Sequence, residues 1–262
     1  MRIATWNINS IRTRLNHVIN FIKKNDIDVM CLQETKTTDE FFPINEFRSI
    51  GLTYYYFRGE KSYNGVAILS KYPLLQKSYI KWCNLLDTRH LCVQLKNNII
   101  LHNFYVPAGG DVPDINLNNK FKHKIKFLKE MISYFKDKTS EKIILLGDLN
   151  IAPGENDVWS HKQLNNVVSH TPIEIKYMYK LIKESNLYDV IREKRDKQTK
   201  IYTWWSYRSK DWKVSNRGRR LDHVLISKDL IGSIKNEKIY VNMRDLKKPS
   251  DHVPISIDIL NK

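Results

Sequence analysis

Cysteine is scarce in this chain of 262 residues: there are three, an odd number, with no CxxC or Cys/His finger spacing. A disulfide scaffold is excluded. Cys31, Cys83 and Cys92 lie in or beside apolar runs such as Val29-Met30-Cys31-Leu32 and read as buried, inert thiols of a reducing compartment. No run approaches the roughly 18 apolar residues of a membrane span. The segment Met1-Arg2-Ile3-Ala4-Thr5-Trp6 has neither the long apolar centre nor the small-residue cleavage site of a secretion signal, and the expectation is a cytoplasmic protein. No linker rich in Pro, Gly or Ser divides the chain, and no fixed-period repeat appears, so residues 1–262 are expected to form a single domain.

Acidic residues are the other shortage. Lys+Arg number 44 against 28 Asp+Glu, a net charge of +16 and a sequence pI of about 9.6, which suits a polyanionic partner such as nucleic acid or an anionic membrane surface. A chain rich in Lys, Asn and Ile can also become basic by compositional drift, so position matters more than the total. From Arg192 to Arg220 there are eleven basic residues against Glu193, Asp196 and Asp211, a net of +8. Tyr202, Trp204, Trp205, Tyr207 and Trp212 are interleaved with them. This is either a surface for phosphate neutralisation and base stacking or a buried strand beside a solvated loop.

Hydrophobic residues make up 42% of the chain, enough for a sizeable core. Short apolar runs of β-branched character at Ile3 to Trp6, Val29 to Leu32, Val66 to Leu69, Leu91 to Leu95, Ile99 to Tyr105, Ile143 to Leu146, Val224 to Ile226 and Ile255 to Ile259 predict strands. Leu15, Val18, Ile19 and Ile22 form one helical stripe. Leu117, Phe121, Ile125, Leu128, Ile132 and Phe135 form a longer one, and Met178, Leu181 and Ile182 suggest a third, short helix. The expected class is α+β, with packed sheets and helices outside.

Acid and amide groups recur where these strands stop or start. Asn7 and Asn9 follow the first strand, Glu34 the second, Tyr105 ends another, and Asp148 and Asn150 follow Ile143 to Leu146. Asp222 precedes Val224 to Ile226, and Asp251-His252 precedes Ile255 to Ile259. Antiparallel pairing would bring these ends to one rim. Carboxylates, amides and one imidazole without thiolates suit a hard cation and metal-assisted phosphoryl transfer. Any one such residue alone is more often a cap or a turn.

Trp6-Asn7-Ile8-Asn9, Leu32-Gln33-Glu34-Thr35-Lys36, Asn64-Gly65-Val66-Ala67, Tyr105-Val106-Pro107, Gly147-Asp148-Leu149-Asn150, Arg220-Leu221-Asp222-His223 and Ser250-Asp251-His252-Val253-Pro254 occur in this order. Together they closely resemble the exodeoxyribonuclease III family of abasic-site endonucleases, within the endonuclease/exonuclease/phosphatase superfamily. The resemblance implies a four-layered α/β sandwich of two packed mixed sheets flanked by helices. It also implies metal-dependent hydrolysis of DNA 5′ to abasic sites, with 3′-to-5′ exonuclease and 3′-end-cleaning activity. Glu34 would be the principal ligand of Mg²⁺ or Mn²⁺, supported by Asn7 and, through water, by Asn9 and Asp251, with Asp148 and Asn150 available to a second ion. Asp148 would activate water, Asn150 position it, His252 oriented by Asp222 neutralise the phosphate, and Tyr105 donate to the phosphate or leaving oxygen. DNA contacts are expected from Asn9, Trp204, Trp205, Arg217, Arg219 and Leu221, although Arg219 stands where relatives often carry a large apolar residue. The partner would be duplex DNA with abasic sites or 3′ ends, with no membrane, and the protein a monomer. A phosphoinositide or sphingolipid phosphoesterase of the same superfamily and a catalytically silent nucleic-acid-binding module are the alternatives.

Overall fold

The computed structural model describes residues 1–260. Among them, one six-stranded sheet contains β1 (Arg2–Asn7), β2 (Val29–Gln33), β3 (Tyr54–Glu60), β4 (Tyr63–Ser70), β13 (Ile234–Ile239) and β14 (Ile255–Ile259), ordered β13-β14-β1-β2-β4-β3. The other contains β5 (Leu75–Ser78), β6 (His90–Gln94), β7 (Ile99–Tyr105), β8 (Lys142–Asp148), β9 (Leu187–Asp189) and β12 (Asp222–Ser227), ordered β5-β6-β7-β8-β12-β9. A small ribbon pairs β10 (Trp204–Trp205) with β11 (Gly218–Arg219). Each large sheet has one parallel pair, β1 with β2 and β7 with β8. A parallel pair needs a crossover, and helices supply it: α1 (Ile11–Asn25) joins β1 to β2, and α2 (Asn119–Phe135) lies between β7 and β8.

Alternation along the strands decides the layers. Ile3, Val29, Cys31, Val66 and Ile68 of the first sheet share a core with Leu91, Val93, Leu101, Ile144, Leu146, Val224 and Ile226 of the second. On the outer face of the first sheet, Ala4, Trp6, Met30 and Leu32 meet Val18, Phe21 and Ile22 of α1. On that of the second, Phe104, Ile143, Leu145 and Leu225 meet Phe121, Ile125, Leu128 and Ile132 of α2 and Met178 and Leu181 of α3 (Pro172–Glu184). The result is the expected sandwich of helix, sheet, sheet and helices. Burial pushes the Cys83 thiol up to about 12 and that of Cys92 to about 11, and raises Cys31 further, so all three are inert.

The sequence pattern and the structure part company at the edges. Edge strands β5 and β13 expose most of one or both faces and β3 is half-buried along nearly all its length, so their apolar alternation is too weak to read. Leu117, placed in the second helical stripe, precedes the helix and is 81% exposed; Asn118 caps that helix instead. The third helix is longer than its apolar triplet suggested. Thr171 and Glu174 form a reciprocal capping box around Pro172, a start signal that apolar spacing alone overlooks.

A buried histidine pair gives the fold a pH dependence. The Ile80 N–H donates to His90 Nδ1 at 3.2 Å, so His90 Nε2 carries the hydrogen shared with His102 Nδ1 at 3.0 Å, and His102 Nε2 faces Cys92 Sγ at 3.7 Å. Burial pushes His102 down to about 3, and burial together with the neighbouring His102 lowers His90 well below its ordinary value. The unfolded chain takes up both protons near pH 6.5 and the native state refuses them. Stability is therefore full above that pH and is lost as pH falls below it. The pair is expected to remove about 2.5 kcal/mol between pH 6 and pH 5. Urea unfolding across that range should show His102→Gln with a visibly shallower loss; an unchanged slope would free the pair of responsibility.

Candidate active site

Strand register brings the first groups together. Tyr105 on β7 is the Cα partner of Asp148 on β8, which is the partner of Asp222 on β12, so three neighbouring strands present them side by side. In the other sheet Asn7 pairs with Gln33, placing Glu34 one residue beyond. His252, just before β14, bridges to Trp204. Gln33 Nε2 donates to Asn103 Oδ1 at 2.6 Å, and Asn103 Nδ2 to the Leu32 and Ala67 carbonyls at 3.0 Å, tying the two sheets together beneath the rim. Gly147 has φ +129°, and a Cβ there would lie 2.0 Å from the Phe104 carbonyl oxygen, so only glycine lets β8 deliver Asp148 this close to β7. Glu34 and Asn150 sit in the left-handed region at φ 51° and 54°. Asparagine adopts this conformation readily, whereas for a glutamate it is uncommon.

Asn7 Nδ2 donates to Glu34 Oε1 and Asp148 Oδ2, each at 2.8 Å. The Asn150 backbone N–H donates to Asp148 Oδ1 at 2.9 Å, and its Nδ2 to Asp148 Oδ2 at 3.2 Å and the Val106 carbonyl at 2.9 Å. His252 holds Asp222 Oδ2 through Nδ1 at 2.8 Å and turns Nε2 toward Asp148 Oδ2 at 3.6 Å. One ligand atom each of Glu34, Asp148 and His252 lies within 4.8 Å of the others.

Burial raises the Asp148 carboxyl to about 7, with Asp222 and Glu34 pushing the same way and His252 and Asn7 opposing. Burial alone would strip His252 of its proton, but the carboxylates of Asp222 and Asp148 outweigh it and lift the imidazole to about 10. It is an imidazolium at neutral pH, and with its proton on it is a partner for anions rather than a metal ligand. Tyr105 is pushed well above its ordinary value by burial and by Glu34 and Asp148, which keeps the phenol a donor. Burial works upward on Asp251, but His252 and the bonds from Trp204 and Asn9 prevail and hold it ionised.

Asn7, Glu34, Tyr105, Asp148, Asn150, Asp222, Asp251 and His252 come together at one rim. Asn7 offers its amide nitrogen to both carboxylates and so aligns Glu34 and Asp148, while its Oδ1 accepts the Asn9 N–H at 3.1 Å. Asp251 accepts Asn9 Nδ2 at 3.0 Å on Oδ1 and Trp204 Nε1 at 2.9 Å on Oδ2, and it stands outside the group formed by Glu34, Asp148 and His252. Two DNA contacts expected from sequence are corrected outright. Trp205 is 3% exposed, packed with Tyr202 and Val253, its indole N–H spent on Asn216 Oδ1 at 3.1 Å. Leu221 is 4% exposed against Ala152, Val158 and Leu164.

The basic stretch is corrected in part. Arg220 is 1% exposed and grips Asp157 through two 2.8 Å bonds and Asp189 through one of 2.7 Å. Arg192 also pairs with Asp157, Arg195 with Glu237 and Lys213 with Asp245. Arg217 and Arg219 differ: they stack on the rings of Trp159 and Trp204, 4.8 and 5.4 Å from the centroids.

Three further cations border the site without having been assigned a role from sequence. Lys36 Nζ lies 2.7 Å from Glu34 Oε2 and donates to Asn9 Oδ1 at 2.6 Å; it stands in the Gln33-Glu34-Thr35-Lys36 block, the only signal that pointed to it. Arg89 covers the Tyr105 ring at 4.8 Å and binds Asp87. Lys124 of α2, with no exposure, donates to the Asn150 carbonyl at 2.7 Å and the Ala108 carbonyl at 3.2 Å and pairs with Glu174 at 2.5 Å.

Comparison with known proteins matches residues 4–252 to the endonuclease/exonuclease/phosphatase family. An AP endonuclease structure from Archaeoglobus fulgidus superposes with a TM-score of 0.91 at 30% identity, covering 99% of both chains. A 3′ phosphatase from Neisseria, solved bound to a product DNA hairpin, gives the same TM-score at 27% identity and the same coverage. Exodeoxyribonuclease III of Haemophilus influenzae is 28% identical over 268 residues, covering 97% of this chain and 98% of its own.

Proposed function

The chain belongs to the endonuclease/exonuclease/phosphatase family, and from that premise we propose that it is a DNA repair nuclease. It hydrolyses duplex DNA 5′ to abasic sites and works on 3′ ends as a 3′-to-5′ exonuclease that also removes blocking groups. The relatives are DNA enzymes by description. The observation that carries the reading is one buried carboxylate, Asp148, set between an imidazolium and a second acid.

In this reading Asp148 accepts the proton of the attacking water, which a carboxylate raised to about 7 does better than an ordinary one. Asn150 holds Asp148 and the water in line. The new P–O bond forms as the bond to the upstream 3′ oxygen breaks, and the Tyr105 hydroxyl donates to that oxygen or to a non-bridging one. The imidazolium of His252, fixed by Asp222, offsets charge on the phosphate. The donor set fits a hard cation, since carboxylates meet without thiolates and Glu34 already faces an ammonium, that of Lys36. Glu34 would hold Mg²⁺, or Mn²⁺ in its place, with Asp148 and Asn150 open to a second ion. When bound, the metal supplies Lewis-acid stabilisation of phosphate oxygens. Trp204, Arg217 and Arg219 provide the aromatic and cationic face for DNA, and the protein acts as a monomer. Among the described residues no helix is long and apolar enough to cross a membrane.

The test compares an end-labelled duplex carrying one abasic-site analogue with its intact twin, in Mg²⁺, in Mn²⁺ and in chelator. Metal-dependent cutting immediately 5′ to the analogue is expected, with slower loss from 3′ ends on both duplexes. No cutting of either duplex in either metal would overturn the reading.

A further inference from the structure

Arg219, like Arg217, stacks on an indole rather than pairing with a carboxylate. Arg192, Arg195, Lys213 and Arg220 each meet a carboxylate, whereas Arg219 has none within 4 Å among the described residues and feels the charge of Glu174 only at a distance. Its guanidinium is nevertheless fixed. Nη1 donates to the Val168 carbonyl at 2.9 Å and Ser169 Oγ at 2.7 Å, and the plane lies over Trp204. Among the described residues Nε and Nη2 have no hydrogen-bond partner. Strand pairing locates it: Arg219 is the register partner of Trp204, and Trp204 bridges to His252. Arg219 and His252 thus lie on one line, about two strand spacings or 10 Å apart by backbone. A half-buried cation with two open donors, one strand beyond the Trp204 that bridges to His252, is suited to a second negative charge on the same substrate.

The chemistry of the two substrate types differs at this point. In both, water attacks phosphorus, the bond to the upstream 3′ oxygen breaks, and that oxygen leaves with a proton as a 3′-hydroxyl. At an internal abasic site the phosphorus also carries the O5′ of a neutral deoxyribose. At a 3′-phosphate end it carries instead a terminal oxygen, a second ionisable position that brings extra charge, and inorganic phosphate is released. We infer that Arg219 is a specificity-determining residue that favours a 3′-terminal phosphate monoester over an internal abasic diester. This rests on the nuclease reading of the same site and names which of its substrates this chain prefers.

The experiment measures kcat/KM on two duplexes of one sequence, a nick bearing a 3′-phosphate and an internal abasic analogue, for the full chain and two variants. Arg219→Gln keeps donors for Val168 and Ser169 without the charge, and Arg219→Lys keeps charge without the fork. The unchanged protein is expected to favour the monoester. Arg219→Gln should lower the monoester-to-diester ratio by about tenfold or more, the usual worth of a charge-assisted contact, with Arg219→Lys in between. A ratio unchanged in both variants, or an unchanged protein that incises the abasic duplex yet leaves the 3′-phosphate in place, overturns the inference while the nuclease reading stands. Failure on both duplexes by the unchanged protein would overturn the nuclease reading and this inference with it.

Discussion

Asp148→Asn is expected to lower single-turnover cleavage of an abasic duplex by about 10³-fold or more while leaving duplex affinity within a few-fold of the parent. The substitution conserves shape. The Asn150 backbone N–H can still donate to the side-chain oxygen, and Gly147 still delivers the residue to the rim. What disappears is the group that accepts a proton, together with one of the carboxylates that keep His252 charged. The parent's rate should rise as pH climbs through about 7, where Asp148 loses its proton, and fall toward about 10, where His252 loses its own. The variant should lack the rising limb. Binding is read by fluorescence anisotropy in chelator, where no cutting confuses it, and cleavage by quenched flow or gel. Cutting near the parental rate would remove Asp148 from the chemistry.

The second large effect concerns stability and joins the fold to the site. Lys124 and Glu174 are buried to zero exposure, and Lys124 alone ties α2 to the Asn150 carbonyl. Lys124→Met strands the Glu174 carboxylate, which would keep only the Ser169 and Thr171 donors. Removing one partner of a buried pair costs about 3–5 kcal/mol. The double variant Lys124→Met with Glu174→Gln removes the stranded charge and should recover a good part of that loss. Because the Asn150 carbonyl is freed in both, both should cut more slowly than the parent with KM nearly unchanged. Urea unfolding gives the first quantity and steady-state kinetics the second. A loss below about 1 kcal/mol for Lys124→Met would show that this pair does not hold the structure together.

How much of this was legible in the sequence follows from what kind of signal each part leaves. The central strands are fully buried runs, and the position of each functional side chain at a strand end was readable because the chemistry sits where the apolar run stops. Asp148 after Ile143 to Leu146 and Asp222 before Val224 are the clearest cases. Edge strands such as β13, with its sequence Ile-Lys-Asn-Glu-Lys-Ile, leave no apolar trace because they bury so little. Charge misleads for a different reason. Arg220 and Arg219 are adjacent and chemically identical, yet one is sealed between Asp157 and Asp189 and the other stacks on Trp204 with donors to spare. The acids that decide between them come from 31 to 63 residues away. Trp204 and Trp205 divide in the same way, because successive residues of a strand face opposite sides. Arg89 and Lys124 reach the site through tertiary packing alone, so no local pattern marks them.

The proposed reaction is hydrolysis at phosphorus with departure of the upstream 3′ oxygen. The most direct measurement digests a duplex carrying a single stable abasic analogue in ¹⁸O-enriched water with Mg²⁺ and analyses both fragments by mass spectrometry. That reaction predicts an upstream fragment ending in an unlabelled 3′-hydroxyl and a downstream fragment whose 5′-phosphate carries one ¹⁸O. A 3′-phosphate on the upstream fragment, or a downstream 5′-phosphate without label, would contradict it.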